Sequence, residues 1–393
     1  MWTIPCNPPW LTPGDEARNA LHDDTEAPAT LLTYAGPQPG EEASAVGRTE
    51  NRELAVHSKP AARSLLIDAV RGMAISLVAL GHTNQGILHR GWWGGSPVGI
   101  RLDILIYAFH MPAFFFVSGI FVRASVTKRG PGRFTVERLR TLIYPYLLWS
   151  VIAALAVRVL ARFMVQRPLT IRELAFDVLI GAGVWFLPAL FVCQMFAMVL
   201  RRLPGAAIVA IALLAYFFHP HTRVEYVELG IHFFPFVAAG MWLGRRYERL
   251  EAIPRWGALS LAVILFAALY VETYKPWTTF DNAMLLSGLI GTVMLLMLAR
   301  TMGNSRGTRV FAWAGEASLA IYLAGEYGQG FVRQVFEWAH ITSPYTQLIL
   351  PTIAAIAIPA WVYQRRVRLH LEWLFIAPFW KPRPRVPQTA SAS

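Results

Sequence analysis

The stretch that decides the fold is Leu65-Leu66-Ile67-Asp68-Ala69-Val70-Arg71-Gly72-Met73-Ala74-Ile75-Ser76-Leu77-Val78-Ala79-Leu80-Gly81-His82. It is long and apolar enough to cross a bilayer as a helix, since about 18 or more such residues suffice. Yet it carries three ionisable groups, each costing several kcal/mol at membrane depth unless paired or facing a wet cavity. Eleven steps separate Arg71 from His82, which at helical pitch is only about 20° past three full turns. Asp68 falls on the same stripe, and Arg71 and His82 stand about 16 Å apart along the axis. Taken singly, Asp68 and Arg71 would read as an interfacial ion pair and His82 as a hydrogen-bonded packing residue. Three on one face, with Gly81 and Asn84 beside the histidine, read instead as the lining of a polar path into the membrane.

The rest of the chain has the same character. Of 393 residues, 55% are hydrophobic and 15% charged, against roughly a quarter charged in soluble domains. Apolar runs predict helices near 65–88, 103–123, 142–164, 183–201, 204–219, 228–246, 254–271, 281–301, 310–336 and 345–364. The fold class is therefore all-α, an integral membrane helical bundle of about ten transmembrane helices in a domain spanning residues 63–366. The stretch 170–180 is amphipathic and reads as a surface segment. No internal repeat is visible, which argues against transporters built from inverted repeats.

Lysines and arginines in alternate connections number 22 on one side and seven on the other. The richer side is expected in the cytoplasm, and an even number of spans returns both termini there. Residues 1–62 form an acidic, Pro-, Gly- and Glu-rich extension expected to be disordered, with nine acidic and four basic residues in the first 60. They lack the basic start and apolar core of a signal peptide. Residues 367–393 read as a basic cytoplasmic tail. Basic residues sit at the ends of apolar segments, as a topology signal, so nucleic acid is not an expected partner. Cys6 and Cys193 are the two cysteines, so neither a disulfide framework nor a four-ligand zinc site is available, and no metal is expected.

The second span reads Phe109-His110-Met111-Pro112-Ala113-Phe114-Phe115-Phe116-Val117-Ser118-Gly119. Pro112 predicts a kink, and Ser118-Gly119 permits close backbone approach. No strand-turn-helix elbow surrounds Ser118, so it does not read as a nucleophile.

Together these segments resemble acyltransferase family 3, the membrane-bound O-acyltransferases of bacterial surface polysaccharides, other glycans and some antibiotics. Ile67-Asp68-x-x-Arg71-Gly72 with ten residues between Arg71 and His82 is similar to the family's first-helix signature. Phe109-His110-Met111-Pro112 through Gly119 resembles its second-helix motif, and Trp185-Phe186-Leu187 another recurring element. Gly315-Glu316-Ala317-Ser318-Leu319-Ala320-Ile321-Tyr322 is similar to its late Gly-x-x-Ser-x-x-Ile-Tyr segment. There are two departures. A histidine often follows the late tyrosine, where this chain has Ala324-Gly325-Glu326. Thr141 and Leu142 stand where the basic motif before the third helix ends in arginine, and Arg138 and Arg140 are the available substitutes.

The resemblance implies ten helices, no permanently bound cofactor, and acyl-CoA, commonly acetyl-CoA, as co-substrate. It implies a carbohydrate or glycosylated acceptor, with a macrolide-like small molecule as an alternative. His82 would be the general base, and Arg71 would hold CoA phosphates or stabilise an oxyanion, helped by Arg138 or Arg140. Asp68, His110 and Ser118 would line the same cavity. Trp185 would stack on a sugar or anchor at the interface, and Tyr322 and Glu326, four apart, would face the acceptor. A proton-coupled transporter using the Asp68–Arg71–His82 stripe is the rival of another class.

Overall fold

A computed structural model describes residues 64–165, 184–218, 225–274 and 280–378, and every α-helical, π or 3-10 element among them is helical, with no strand. The acidic extension and the amphipathic stretch 170–180 lie outside the described residues. The helices are α1 Leu65–His89, α2 Pro97–Tyr107, α3 His110–Ile120, α4 Val122–Arg129, α5 Pro131–Arg138, α6 Tyr144–Val165 and α7 Phe186–Leu200. They continue as α8 Gly205–Phe218, α9 Glu225–Leu243, α10 Arg255–Glu272, α11 Phe280–Met302, α12 Arg306–Glu316, α13 Ser318–Trp338 and α14 Pro344–Arg365.

Seven segments are long and apolar enough to cross a membrane: Leu65–His89, Pro97–Arg129, Pro131–Ala156, Glu225–Leu243, Arg255–Glu272, Met284–Met302 and Pro344–Arg365. The other three expected spans differ. The helices α7 and α8, at 15 and 14 residues, fall short of the roughly 20 that a full crossing needs. The third, α13, has the length at 21 residues but carries Glu326, Arg333 and Glu337. The outer faces of the apolar helices are themselves apolar: Trp256, Val263, Ile264 and Phe266 on α10 are all exposed. In water such a face would be a liability, whereas in lipid it is the contact surface.

Two expected helices are broken, each for a reason in the packing. The span read as 103–123 is interrupted at Ala108-Phe109, where Phe109 leaves helical geometry with φ −145°. Pro112 has no N–H to offer the preceding turn, and sits in the first turn of α3, where its lack is tolerated. The helix read as 310–336 is two, α12 and α13, separated at Ala317. A Cβ on Gly315 would overlap the Asp68 carbonyl, and one on Gly72 would overlap the Phe311 carbonyl. The α1–α12 crossing is therefore backbone on backbone, and the bend at Ala317 lets α13 continue along α1.

A second crossing of this kind joins α3 to α9. Side chains at Gly119 and Gly240 would overlap the Val237 and Phe116 carbonyls respectively. Gly240→Val should therefore destabilise the protein by about 1–3 kcal/mol or more, read as a lower thermal midpoint in detergent. Gly132→Ala is the control, since a Cβ there meets nothing within 4 Å. An unchanged midpoint for Gly240→Val would mean the crossing is looser than described.

Residues 367–378, read from sequence as the start of a tail, are partly packed. Trp149 Nε1 donates to the Leu374 carbonyl at 2.9 Å, and Arg140 Nη2 to the Ala377 carbonyl at 3.1 Å. Phe375 is buried between the Trp149 and Tyr363 rings. Apolar Leu374, Phe375 and Ala377 explain why this stretch folds back before the basic residues begin.

Candidate active site

The stripe on α1 is matched by a polar edge on α13. Arg71 Nη2 donates to Ser318 Oγ at 3.2 Å, and Thr83 Oγ1 donates to Gln329 Oε1 at 2.6 Å. Arg333 Nη2 approaches the Thr83 carbonyl at 3.5 Å, and Arg90 pairs with Glu337 at 2.6 Å. The partners ascend together along both helices, so α1 and α13 run parallel. The bend at Ala317 supplies Ser318 as the first residue of α13, where it meets Arg71.

Between these contacts lies the histidine. His82 Nδ1 is 3.3 Å from Glu326 Oε1. A carboxylate can only accept, so this pairing places the proton of a neutral imidazole on Nδ1 and leaves the Nε2 lone pair available as a base. The His82 side chain is 37% exposed, which leaves it open to a substrate in a way that His110, 3% exposed, is not. Tyr107 presents itself edge-to-face to His82 at 6.3 Å and to His110 at 4.8 Å between ring centroids. Gly81 makes this possible, because a Cβ there would lie 3.0 Å from the Tyr107 ring.

Asp68 is buried, with Oδ1 3.7 Å from Arg71 Nη1. Arg138 lies within electrostatic reach of Arg71 and places its guanidinium 4.8 Å from the centre of the Phe134 ring. Its buried Nε has no hydrogen-bond partner among the described residues. The Tyr322 hydroxyl accepts from the Phe186 N–H at 3.3 Å, one helical turn from Glu326. Trp185 begins α7 stacked on Phe233 at 5.6 Å, and Phe233 stacks on Phe115 at 4.4 Å. The Trp185 ring is thus part of an aromatic ladder with Phe233 and Phe115, and its neighbour Phe186 meets the Tyr322 ring at 5.4 Å.

The structure thus gathers Asp68, Arg71, Ser318, Arg138, His82, Glu326, Tyr322 and Trp185 along α1, α13, the end of α5 and the start of α7. Three expected residues are engaged elsewhere. His110 Nδ1 lies 2.7 Å from the Ile106 carbonyl and, since a carbonyl only accepts, must donate; it ties α3 to α2 across their break. Ser118 Oγ donates to the Phe115 carbonyl at 2.7 Å, within its own helix. Arg140 is turned to the C-terminal segment. Tyr107 and Ser318 were not singled out from sequence. The signals were present, in the three-residue step from Tyr107 to His110 and in the serine of the late motif.

Nodulation protein NolL of Sinorhizobium fredii is 29% identical over 159 residues, covering 40% of this chain. The chain matches 38% of that relative's length. No solved structure matches. A family described as "Acyltransferase domain", acyltransferase family 3, matches residues 65–364, from the start of α1 to the end of α14, so this all-α membrane helical bundle belongs to that family.

Proposed function

We propose that this enzyme moves an acetyl or similar acyl group from acyl-CoA to a hydroxyl of a carbohydrate, either a surface polysaccharide or a glycolipid. The observation that carries the reading is the open His82, oriented by Glu326 and lying along the same helix as Arg71. His82 Nε2 takes the hydroxyl proton as the oxygen attacks the thioester carbonyl. The C–O bond forms, the C–S bond breaks, and the departing CoA thiolate takes the proton from His82. Glu326 holds the ring and stabilises the imidazolium between those two transfers.

The donor enters from the Arg71 end. Arg71 and Arg138 supply cationic, planar donors suited to the CoA phosphates. About 16 Å of helix then separates Arg71 from His82, a distance suited to the extended pantetheine arm. The 22-to-7 basic imbalance supports termini and Arg71 at the cytoplasmic side, with His82 deeper in the membrane. In parallel α1 and α13, both helices would rise from that side.

The test uses expression-matched membranes given labelled acetyl-CoA. Label should appear in a glycan fraction as an ester released by mild alkali. Absence of any covalent transfer, with proton-coupled solute uptake into proteoliposomes instead, would replace the enzyme reading with a transporter.

A further inference from the structure

Two buried polar atoms beside His82 have no hydrogen-bond partner among the described residues: Asp103 Oδ1 and the Tyr107 hydroxyl. They lie four residues apart on α2, on one helical face. Neither is used by the chemistry above. A buried carboxylate oxygen and a buried phenol left unpaired each cost free energy, so a pair side by side calls for an explanation. Gln85 and Asn84 hydrogen-bond the Asp103 carboxylate through their side chains, leaving Oδ1 as its unpaired oxygen, and His82 and His89 are within its electrostatic reach. Tyr107 lies within such reach of both Asp103 and Glu326. Asn84, Gln85 and His89 follow His82 along α1, on the side away from Arg71.

We propose that Asp103 and Tyr107 form the acceptor subsite and recognise a polyhydroxylated molecule through two neighbouring oxygens; this rests on the acyl-transfer reading above. The chemistry of the pair selects the ligand. Asp103 only accepts and needs a donor such as a hydroxyl, while the Tyr107 phenol donates to an adjacent hydroxyl or ring oxygen. A phosphate or carboxylate would be repelled by Asp103 and Glu326. A monohydric alcohol that bridged the two atoms, donating to Asp103 and accepting from Tyr107, would have no second hydroxyl left for His82. A sugar satisfies both, and fixing it there leaves a further hydroxyl for His82.

The experiment measures acetyl transfer from labelled acetyl-CoA to octyl glucoside, below its micellar concentration, with octanol as the one-hydroxyl comparison. Membranes contain wild type, Tyr107→Phe, Asp103→Asn or His82→Ala. Both substitutions at the subsite are near-isosteric, so each variant should accumulate normally. Each should raise KM for octyl glucoside about tenfold, the value of a lost hydrogen bond, and leave KM for acetyl-CoA unchanged. Each should also narrow the wild-type preference for octyl glucoside over octanol. Unchanged octyl glucoside KM in both variants, with His82→Ala inactive, overturns the subsite and leaves the acyl-transfer reading standing. A fall in kcat at constant KM also overturns it, by making the two residues supports of His82. Absence of wild-type transfer to octyl glucoside, where membrane glycans are acetylated, overturns polyol recognition. Undiminished transfer by His82→Ala instead sinks the underlying reading, and the inference with it.

Discussion

His82→Ala should lower acetyl transfer by about 10²-fold or more, the usual contribution of a positioned base, while the protein accumulates in the membrane at wild-type levels. The two halves of that expectation have different origins. Activity falls because His82 Nε2 is the lone pair that the Glu326 contact leaves free at the open face of α1. Accumulation is unaffected because removing a polar group from membrane depth lowers the cost of insertion. Glu326→Gln supplies the graded companion. An amide still reaches His82 Nδ1 at the 3.3 Å position but no longer stabilises imidazolium, so kcat should fall less than in His82→Ala. Transfer is assayed with labelled acetyl-CoA in membranes matched by blotting. Near-normal rates for His82→Ala would remove the mechanism, and equal losses at both positions would make Glu326 more than an orienting group.

The α1 stripe was legible because it is local: three polar side chains on an apolar helix, at spacings that the 3.6-residue period converts directly into one face. The break before α3 was legible in part for the same reason, since Pro112 predicts a kink, although the helix parts at Ala108-Phe109. What escaped the sequence is long-range. Ser318 meets Arg71 across 247 residues, and no local pattern names that partner. The division of the late helix at Ala317 has no proline to announce it; Gly315 against the Asp68 carbonyl, on another helix, forms the crossing there. The Trp185 contact with Phe233 could not be read locally, because Phe233 lies on α9. Glu326 was placed on the correct face by its step from Tyr322, but its pairing with His82 needed the parallel run of α1 and α13. Helices α7 and α8 read as spans because apolarity is continuous through them, although their helical lengths are short.

The distance between Arg71 and His82 decides what Arg71 does. Their eleven-residue separation on one helix is about 16 Å, too far for the guanidinium to reach an oxyanion forming at His82. Arg71 should therefore hold the nucleotide end of the donor. Arg71→Gln should raise KM for acetyl-CoA by about 10- to 100-fold, the scale of charge-assisted hydrogen bonds, with kcat little changed. Arg71→Lys should recover only part of this, since it keeps the charge but loses the planar fork that reaches Ser318 and Asp68 together. The decisive comparison uses acetyl-pantetheine, which carries the same thioester without the nucleotide phosphates. Wild type should use it poorly, and Arg71→Gln should use it no worse than wild type, because the lost contacts are to groups this donor lacks. If kcat instead falls with both donors by the same factor, Arg71 acts at the reacting carbonyl, and α1 must bend or the thioester must lie nearer the cytoplasm than the His82 position implies.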